Sequence, residues 1–214
     1  EKLGSFTHYE FNKKPMMEVM EKHRKSLEDI TWEDVPELEN LTKSTWDNVI
    51  ERGKEYGFRN AQTTVIAPTG TISFLMGCDT TGIESAIALI IYKHLSGGGK
   101  LKLVNKEVPN ALKNLGYNDI QIKDTTKFIE ENNSVRGSPH LSPDHYKVFD
   151  TAYGDLSGRG SISLDGHIRM LVGAQPFVSG SISKTCNLPI SATVKEIYDA
   201  FILGHELGLK CLSV

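Results

Sequence analysis

Cysteine is scarce in this chain. Cys78, Cys186 and Cys211 are the only three in 214 residues, and none stands in CxxC spacing. An odd count without that spacing argues against a disulfide framework and against a zinc site. It fits a reducing cytoplasm. Excess charge of either sign is also missing: 24 Lys and Arg against 27 Asp and Glu give a net charge of −3. That balance makes no electrostatic case for nucleic acid or for an anionic membrane surface. No uninterrupted apolar run reaches the length of a membrane span, and no secretory signal opens the chain. Gly97-Gly98-Gly99 lacks the spacing and the strand-to-helix context of a dinucleotide loop. The first residue is not Met, and Leu209 to Val214 is an apolar run without a polar tail. Both features are expected of a piece of a longer protein.

What remains is an ordinary globular composition, 39% hydrophobic and 24% charged. One stretch organises the chain, Asn60 to Ser85, which reads NAQTTVIAPTGTISFLMGCDTTGIES. Thr63 to Ala67 is strand-like, and Pro68 stops it. Thr69, Gly70, Thr71, Ile72 and Ser73 follow as a small, hydroxylated loop. Glycine lets a backbone approach a ligand closely. Hydroxyls and loop N–H groups donate to phosphate oxygens, and a helix opening over Ile72 to Met76 would add positive dipole. The same residues also describe a buried strand running into an ordinary turn. Asp79 and Glu84 have two readings, an acid/base pair or cap and salt-bridge residues.

The periodicity predicts a helix from Pro15, as its first residue, to about Ile30, with Met16, Val19, Met20, His23 and Leu27 on one face. A second helix runs from about Pro36 to Tyr56, with Leu38, Leu41, Thr45, Val49 and Ile50 together and Gly57 as a left-handed stop. A strand is expected within 86–95, a flexible break at Gly97 to Gly99, and extended chain over 100–105. Helices follow from Pro109 to Gly116 and from Asn118 or Asp119 to Asn133. Residues 134–166 read as loop, with a short helix near Ser142 and packing at 146–152. Gly166 to Ala174 is apolar nearly all round and expected to be buried. Phe177 to Thr185 reads as a strand. Thr193 caps a last helix whose buried positions are Val194, Ile197, Phe201, Leu203 and Leu207, and Leu209 to Val214 reads as a closing strand. Helices and strands in this order fit an α/β architecture.

Three long blocks resemble one family in order. NAQTTVIAPTGTISFLMGCDTTGIE, GHIRMLVGAQPFVSGSISKTCNLP and ATVKEIYDAFILGHELGLKCLSV are similar to signatures of the large catalytic chain of ribonucleotide reductases. The second block, from Gly166-His167-Ile168-Arg169-Met170 to Ile182-Ser183-Lys184-Thr185, resembles the adenosylcobalamin-dependent class II enzymes. Leu3 to Phe6, Gly97 to Gly99 and His140 to Asp150 resemble the linking segments. The resemblance therefore covers essentially the whole chain. Departures are Ser85, where Pro is expected, Leu164-Asp165 ahead of Gly166, and Ser138 and Thr151.

The resemblance implies part of a ten-stranded α/β barrel, helix-rich in this portion, from an enzyme that reduces ribonucleotides to deoxyribonucleotides by thiyl-radical chemistry. It implies that Pro68, Thr69, Gly70, Thr71, Ile72 and Ser73 hold the phosphates of a ribonucleotide, expected to be a diphosphate. Adenosylcobalamin is the implied cofactor of the intact enzyme, and a thioredoxin-like dithiol its reductant. The radical cysteine, with its Asn and Glu, lies on a finger loop upstream of Leu3, so no catalytic residue is assigned within the chain. The portion divides into a helical lead-in (1–58), the phosphate loop with an α/β segment (59–133), a loop-rich connection (134–165) and a closing α/β segment (166–214). Cys78 is expected to be a spectator, and Cys186 and Cys211 buried small hydrophobes. His167 and Arg169 are expected either to contact cofactor or phosphate or to open a helix. Gln175, Ser179, Ser181 and Ser183 either line a barrel mouth or satisfy local backbone. The remainder of the catalytic chain is the implied partner, and half a barrel with open edges is expected to associate with other copies, to swap elements or to rearrange into a helix-dominated form. A non-catalytic nucleotide-binding module and a class I large-subunit fragment are the competing readings.

Overall fold

A computed structural model of the chain describes residues 3–94 and 97–214. Among the described residues seven α-helices and one hairpin form in the order α1 (Tyr9–Lys25), α2 (Pro36–Tyr56), α3 (Gly70–Leu75), β1 (Ile90–His94), β2 (Lys100–Val104), α4 (Glu107–Asn114), α5 (Asp119–Asn132), α6 (Leu164–Ala174) and α7 (Val194–Glu206). Short 3₁₀ turns occupy Ser26–Asp29, Pro143–Phe149 and Gln175–Phe177. The chain divides into two units, Glu1–Ala67 with Arg169–Ser183 and Phe201–Leu212, and Pro68–Ile168 with Lys184–Ala200 and Ser213–Val214.

The first unit is built on α1 and α2. Tyr9, Met16, Met20 and Phe58 form its buried core, with Trp46, Val49 and Ile50 packed against them. Helical spacing puts Met16, Met20 and His23 on the buried face, as their recurrence at three and four residues requires. Two glycines permit the packing. A Cβ on Gly53 would stand 2.3 Å from the Phe58 ring, and one on Gly57 would stand 2.7 Å from the Tyr9 ring. Gly57 ends α2 with φ of 73° and an extended ψ of −167°, so the stop needs positive φ but is not the left-handed helical conformation expected.

α1 corrects a boundary. Pro15 lies inside the helix, which begins six residues earlier at Tyr9. Proline removes the N–H that would bond the Phe11 carbonyl. Phe11 is exposed, so water can take that place. Leu38 and Leu41 of α2, expected inward, are also exposed.

The second unit packs α4 and α5 against the hairpin. Ile90, Val108, Leu112, Ile129, Val135, Leu141 and Phe149 are its core. β1 and β2 pair antiparallel from Ile90↔Val104 to His94↔Lys100. The loop between them includes Gly98 and Gly99, both at positive φ, which the reversal needs. The expected strand over 86–95 is thus shorter, and Leu95 lies outside the described residues. Asn118 and Gln121 close a capping box on α5. Residues 134–166, read as loose loop, are pinned by Asp155, which accepts from Ser134 Oγ, Ser157 N and Oγ, and Arg159 N. Those bonds hold its carboxyl down at about 2.

Three expected strands form no ladder: 63–67, 177–185 and 209–214. Among the described residues the only sheet is the hairpin, with single bridges at Thr151↔Ser161 and Thr185↔Ser213. A strand exists only where a neighbour supplies its hydrogen bonds, and beyond the Thr185↔Ser213 bridge the first two runs bond largely through side chains. The Ser179 N–H donates to Thr64 Oγ1, and Gln175 Nε2 donates to the carbonyls of Val178 and Gly180. Two helix readings also change. Met170 on α6 and Val194, Phe201 and Leu207 in or beside α7 are exposed, while Ala200 and Gly204 are buried on α7. The apolar composition of these helices overstated their burial, because composition does not say which face meets a neighbour.

Candidate functional site

The loop after Pro68 has an unusual backbone. Thr69 takes φ of 50°, in the left-handed region. For a β-branched residue that is a true outlier, and it costs about 1–3 kcal/mol. Two contacts of its hydroxyl hold it there. The Gly82 N–H donates to Thr69 Oγ1 at 2.8 Å, and Thr69 Oγ1 meets Ser73 Oγ at 2.8 Å. α3 starts at once, its first ladder bond running from the Ser73 N–H to the Thr69 carbonyl at 2.9 Å. The N–H groups of Gly70, Thr71 and Ile72 therefore precede the ladder. Pro68, Gly70, Thr71 and Ile72 are exposed and Ser73 is buried. Ser73 thus braces the loop from within, and the other residues present its outer surface. The helix opens two residues before the expected Ile72.

Residues 77–85 wrap beside this loop and are tethered at three places. Gly82 bonds Thr69 as above. The Asp79 carboxylate accepts from the Lys106 N–H at 3.0 Å, and Lys106 Nζ donates to the Gly77 carbonyl at 2.9 Å. Glu84 accepts from the Thr185 N–H at 2.8 Å through one oxygen and from Lys184 Nζ at 3.2 Å through the other. Asp79 and Glu84 are accordingly cap and ion-pair residues, the second of the two readings open from sequence. A cavity of about 610 Å³ lies against this wrap, and Gly70, Glu84, Ser85, Tyr92, Tyr153 and Asn187 are among its lining residues. Its size is that of a small-molecule site, and its lining mixes aromatic, apolar and polar residues.

Lys184 is the residue sequence reading passed over. It is 2% exposed, with Nζ also donating to the Thr185 carbonyl and reaching Ser85 Oγ at 3.4 Å. Its signal was present: Ile182, Lys184 and Cys186 are buried while Ser181, Ser183 and Thr185 are exposed, the period-2 alternation of an extended chain. A lysine on the inward register of such a run implies a buried partner.

A family model described as "Ribonucleotide reductase, barrel domain" matches residues 1–214. The chain belongs to the ribonucleotide reductase barrel-domain family. It is 48% identical over 212 residues to a vitamin B12-dependent ribonucleotide reductase of Rhodopirellula baltica, a match covering 99% of this chain and 20% of the relative. It is 42% identical over 218 residues to the enzyme of the same name from Streptomyces coelicolor, covering 99% of this chain and 22% of the relative. A vitamin B12-dependent ribonucleoside-diphosphate reductase of Mycobacterium tuberculosis is 33% identical over 157 residues, 73% of this chain and 21% of the relative. The chain spans about a fifth of the length of the curated relatives it matches.

Within this reductase domain the other sequence candidates fall in different places. His167 is 1% exposed, with Nδ1 3.5 Å from Ser85 Oγ and no partner for Nε2 among the described residues. Burial, then the Lys184 cation, push its pKa down, so the imidazole is neutral at pH 7. It does not present itself to a phosphate in solvent. Gln175 satisfies backbone carbonyls, and Ser179 bonds Thr64 and His23, so both serve local structure. Ser181 and Ser183 are exposed. Cys186 is buried, and burial raises its thiol pKa. Cys78 and Cys211 are exposed, so the expectation of a buried Cys211 is corrected: it lies on a closing run that forms no strand to cover it. Ser85, in place of the expected proline, supplies a hydroxyl between Lys184 and His167. Ser138 and Thr151 are buried, with Ser138 donating to Thr125 Oγ1 and Thr151 Oγ1 accepting from the Gly154 N–H. Among the described residues no helix is long and apolar enough to cross a membrane.

Proposed function

We propose that this chain is the part of a class II ribonucleotide reductase barrel that holds the substrate's phosphates. The intact enzyme would convert ribonucleoside diphosphates to deoxyribonucleotides. Pro68, Thr69, Gly70, Thr71, Ile72 and Ser73 form the proposed phosphate loop. The observation that carries this reading is the strained Thr69, locked by two hydroxyl contacts beside the exposed Gly70 edge of a nucleotide-sized cavity. Strain of this kind persists where the surrounding structure fixes it, and it clusters at ligand clamps. In the proposed complex the N–H groups of Gly70, Thr71 and Ile72 donate to phosphate oxygens, with the Thr71 hydroxyl beside them. This residue set binds and orients; it contains no group proposed to react. Orientation matters because radical hydrogen transfer needs one sugar hydrogen held at the attacking sulfur, and a misplacement of about an ångström can cost roughly a hundredfold in rate.

The barrel itself is part of this proposal. The run Phe177–Thr185 has strand-like alternation of burial yet pairs only at Thr185, as expected of a strand whose neighbours lie elsewhere in a longer chain. The diphosphate rests on the printed name of the Mycobacterium tuberculosis relative. Adenosylcobalamin rests on the relatives' names alone. Among the described residues the buried imidazoles of His23 and His167 are closed in by protein, so neither is presented to a corrin. A thioredoxin-like reductant and a cytoplasmic setting belong to the same proposal for the intact enzyme. The test is binding of cytidine diphosphate to the intact chain carrying Gly70→Ala. Weakened binding by a normally folded variant supports the loop assignment; unchanged binding rejects it.

A further inference from the structure

Glu84 poses a physical problem for an anion site. Its carboxylate belongs to a residue lining the same cavity as Gly70, so a phosphate held at the loop would share that cavity with a negative charge. Like charges that share a cavity repel. The structure contains one answer to this. Lys184 Nζ, buried to 2% exposure, is 3.2 Å from Glu84 Oε2, while the other carboxylate oxygen is taken by the Thr185 N–H at 2.8 Å. The ammonium has two further partners, the Thr185 carbonyl at 3.1 Å and Ser85 Oγ at 3.4 Å. Its three protons are thus directed at the wall of the cavity and not at its space. A buried lysine is costly unless paired, and a neutral residue of similar shape would fill the same position at less cost. The neighbouring titratable groups do not replace it: His167 is held neutral, and the buried Cys186 thiol is held protonated.

We infer that Lys184 screens Glu84 from the bound phosphates. The pair acts as a neutral unit: Glu84 anchors residues 81–85 to Thr185, and Lys184 cancels the charge this anchor would otherwise bring to the phosphate cavity. Lys184 is a positioning and screening residue and touches no substrate. The inference rests on the phosphate-loop reading above.

The sign of two substitutions separates screening from simple support. Removing the lysine leaves an unscreened anion, and removing the carboxylate leaves an unscreened cation. Binding of cytidine, cytidine monophosphate and cytidine diphosphate would be measured by calorimetry on the intact chain without cobalamin. Lys184→Met is expected to weaken the diphosphate roughly tenfold, the monophosphate less, and cytidine not at all; one unscreened charge acting on a polyanion at high effective dielectric has about this effect. Glu84→Gln, which keeps an acceptor for the Thr185 N–H, is expected to bind the diphosphate several-fold tighter than the unmodified chain, by the same reasoning in reverse. Should Lys184→Met fail to fold, Glu84→Gln alone decides. Weaker diphosphate binding by Glu84→Gln, or equal losses for cytidine and its diphosphate in Lys184→Met, would overturn the inference in favour of a structural pair. Gly70→Ala on the same three ligands distinguishes the two layers. If it leaves diphosphate binding unchanged, the loop reading fails. If it weakens the diphosphate while both charge variants match the unmodified chain, only the screening inference fails.

Discussion

Gly70→Ala is the sharpest perturbation available, because the structure separates its effect on the fold from its effect on a ligand. A Cβ built on Gly70 meets no atom within 4 Å outside its immediate neighbours. Gly70 is not among the residues at positive φ, so alanine adopts its conformation without strain. It is the first residue of α3. Alanine is favoured over glycine in a helix by about 0.5–1 kcal/mol, partly because the unfolded chain has fewer states to lose. The variant should therefore melt at the same temperature as the unmodified chain or slightly above it. The ligand is affected differently. A phosphate oxygen accepting from the Gly70 N–H sits about 2.9 Å from that nitrogen, and the new methyl occupies the open side of the same residue. Loss of one hydrogen bond to a charged acceptor is worth about 1.5–3 kcal/mol. That is roughly 10- to 150-fold in dissociation constant. The assay pairs a thermal melt with calorimetric titration of cytidine diphosphate, both on the intact chain without cobalamin. Normal melting with diphosphate affinity within twofold of the unmodified chain would refute the assignment of Gly70 to the phosphate contact.

Three further outcomes are expected. Asp155→Asn should destabilise the second unit by about 1–2 kcal/mol, since the carboxylate accepts four hydrogen bonds. Because its folded pKa is depressed to about 2, that contribution is present above the ordinary carboxylate pKa and is lost as pH falls from there through about 2; acid denaturation curves of the two proteins should converge. His23 and His167 are held neutral chiefly by burial, so the unfolded chain binds more protons below pH 6.5. Stability should be full above that pH and fall below it, by up to about 1.4 kcal/mol per pH unit for each histidine, and His23→Gln should flatten the slope in a pH series of melts. The isolated 214-residue chain, with Phe11, Leu75, Met76, Val65, Ile190 and Val194 exposed, should associate in sedimentation and form no deoxynucleotide. A monodisperse monomer would refute the first expectation, and deoxynucleotide formation the second.

Helices were legible because their signals are local. Pro36 and Gly57 bracket α2, Asn118 with Gln121 opens α5, and Thr193 with Glu196 opens α7. Each motif satisfies backbone groups from within a few residues, so no distant partner is needed. Strands were legible only as alternation. The run 177–185 alternates as expected, but pairing needs a neighbour that no local pattern supplies, and among the described residues only the hairpin finds one nearby in sequence.

The same division holds at the site. Sequence alone determined the family, through three long blocks, and the composition of the Pro68–Ser73 loop, whose small and hydroxylated residues let a backbone come close to a neighbour. Tertiary structure decided the rest. It put Thr69 at positive φ with its hydroxyl bonded to the Gly82 N–H and the Ser73 hydroxyl, and it turned Ser73 inward as a brace. It also joined Glu84 to Lys184, one hundred residues apart in sequence. A charge's environment is set by whatever surrounds it in space, so the pairing of a buried lysine could not be read from its neighbours in the chain.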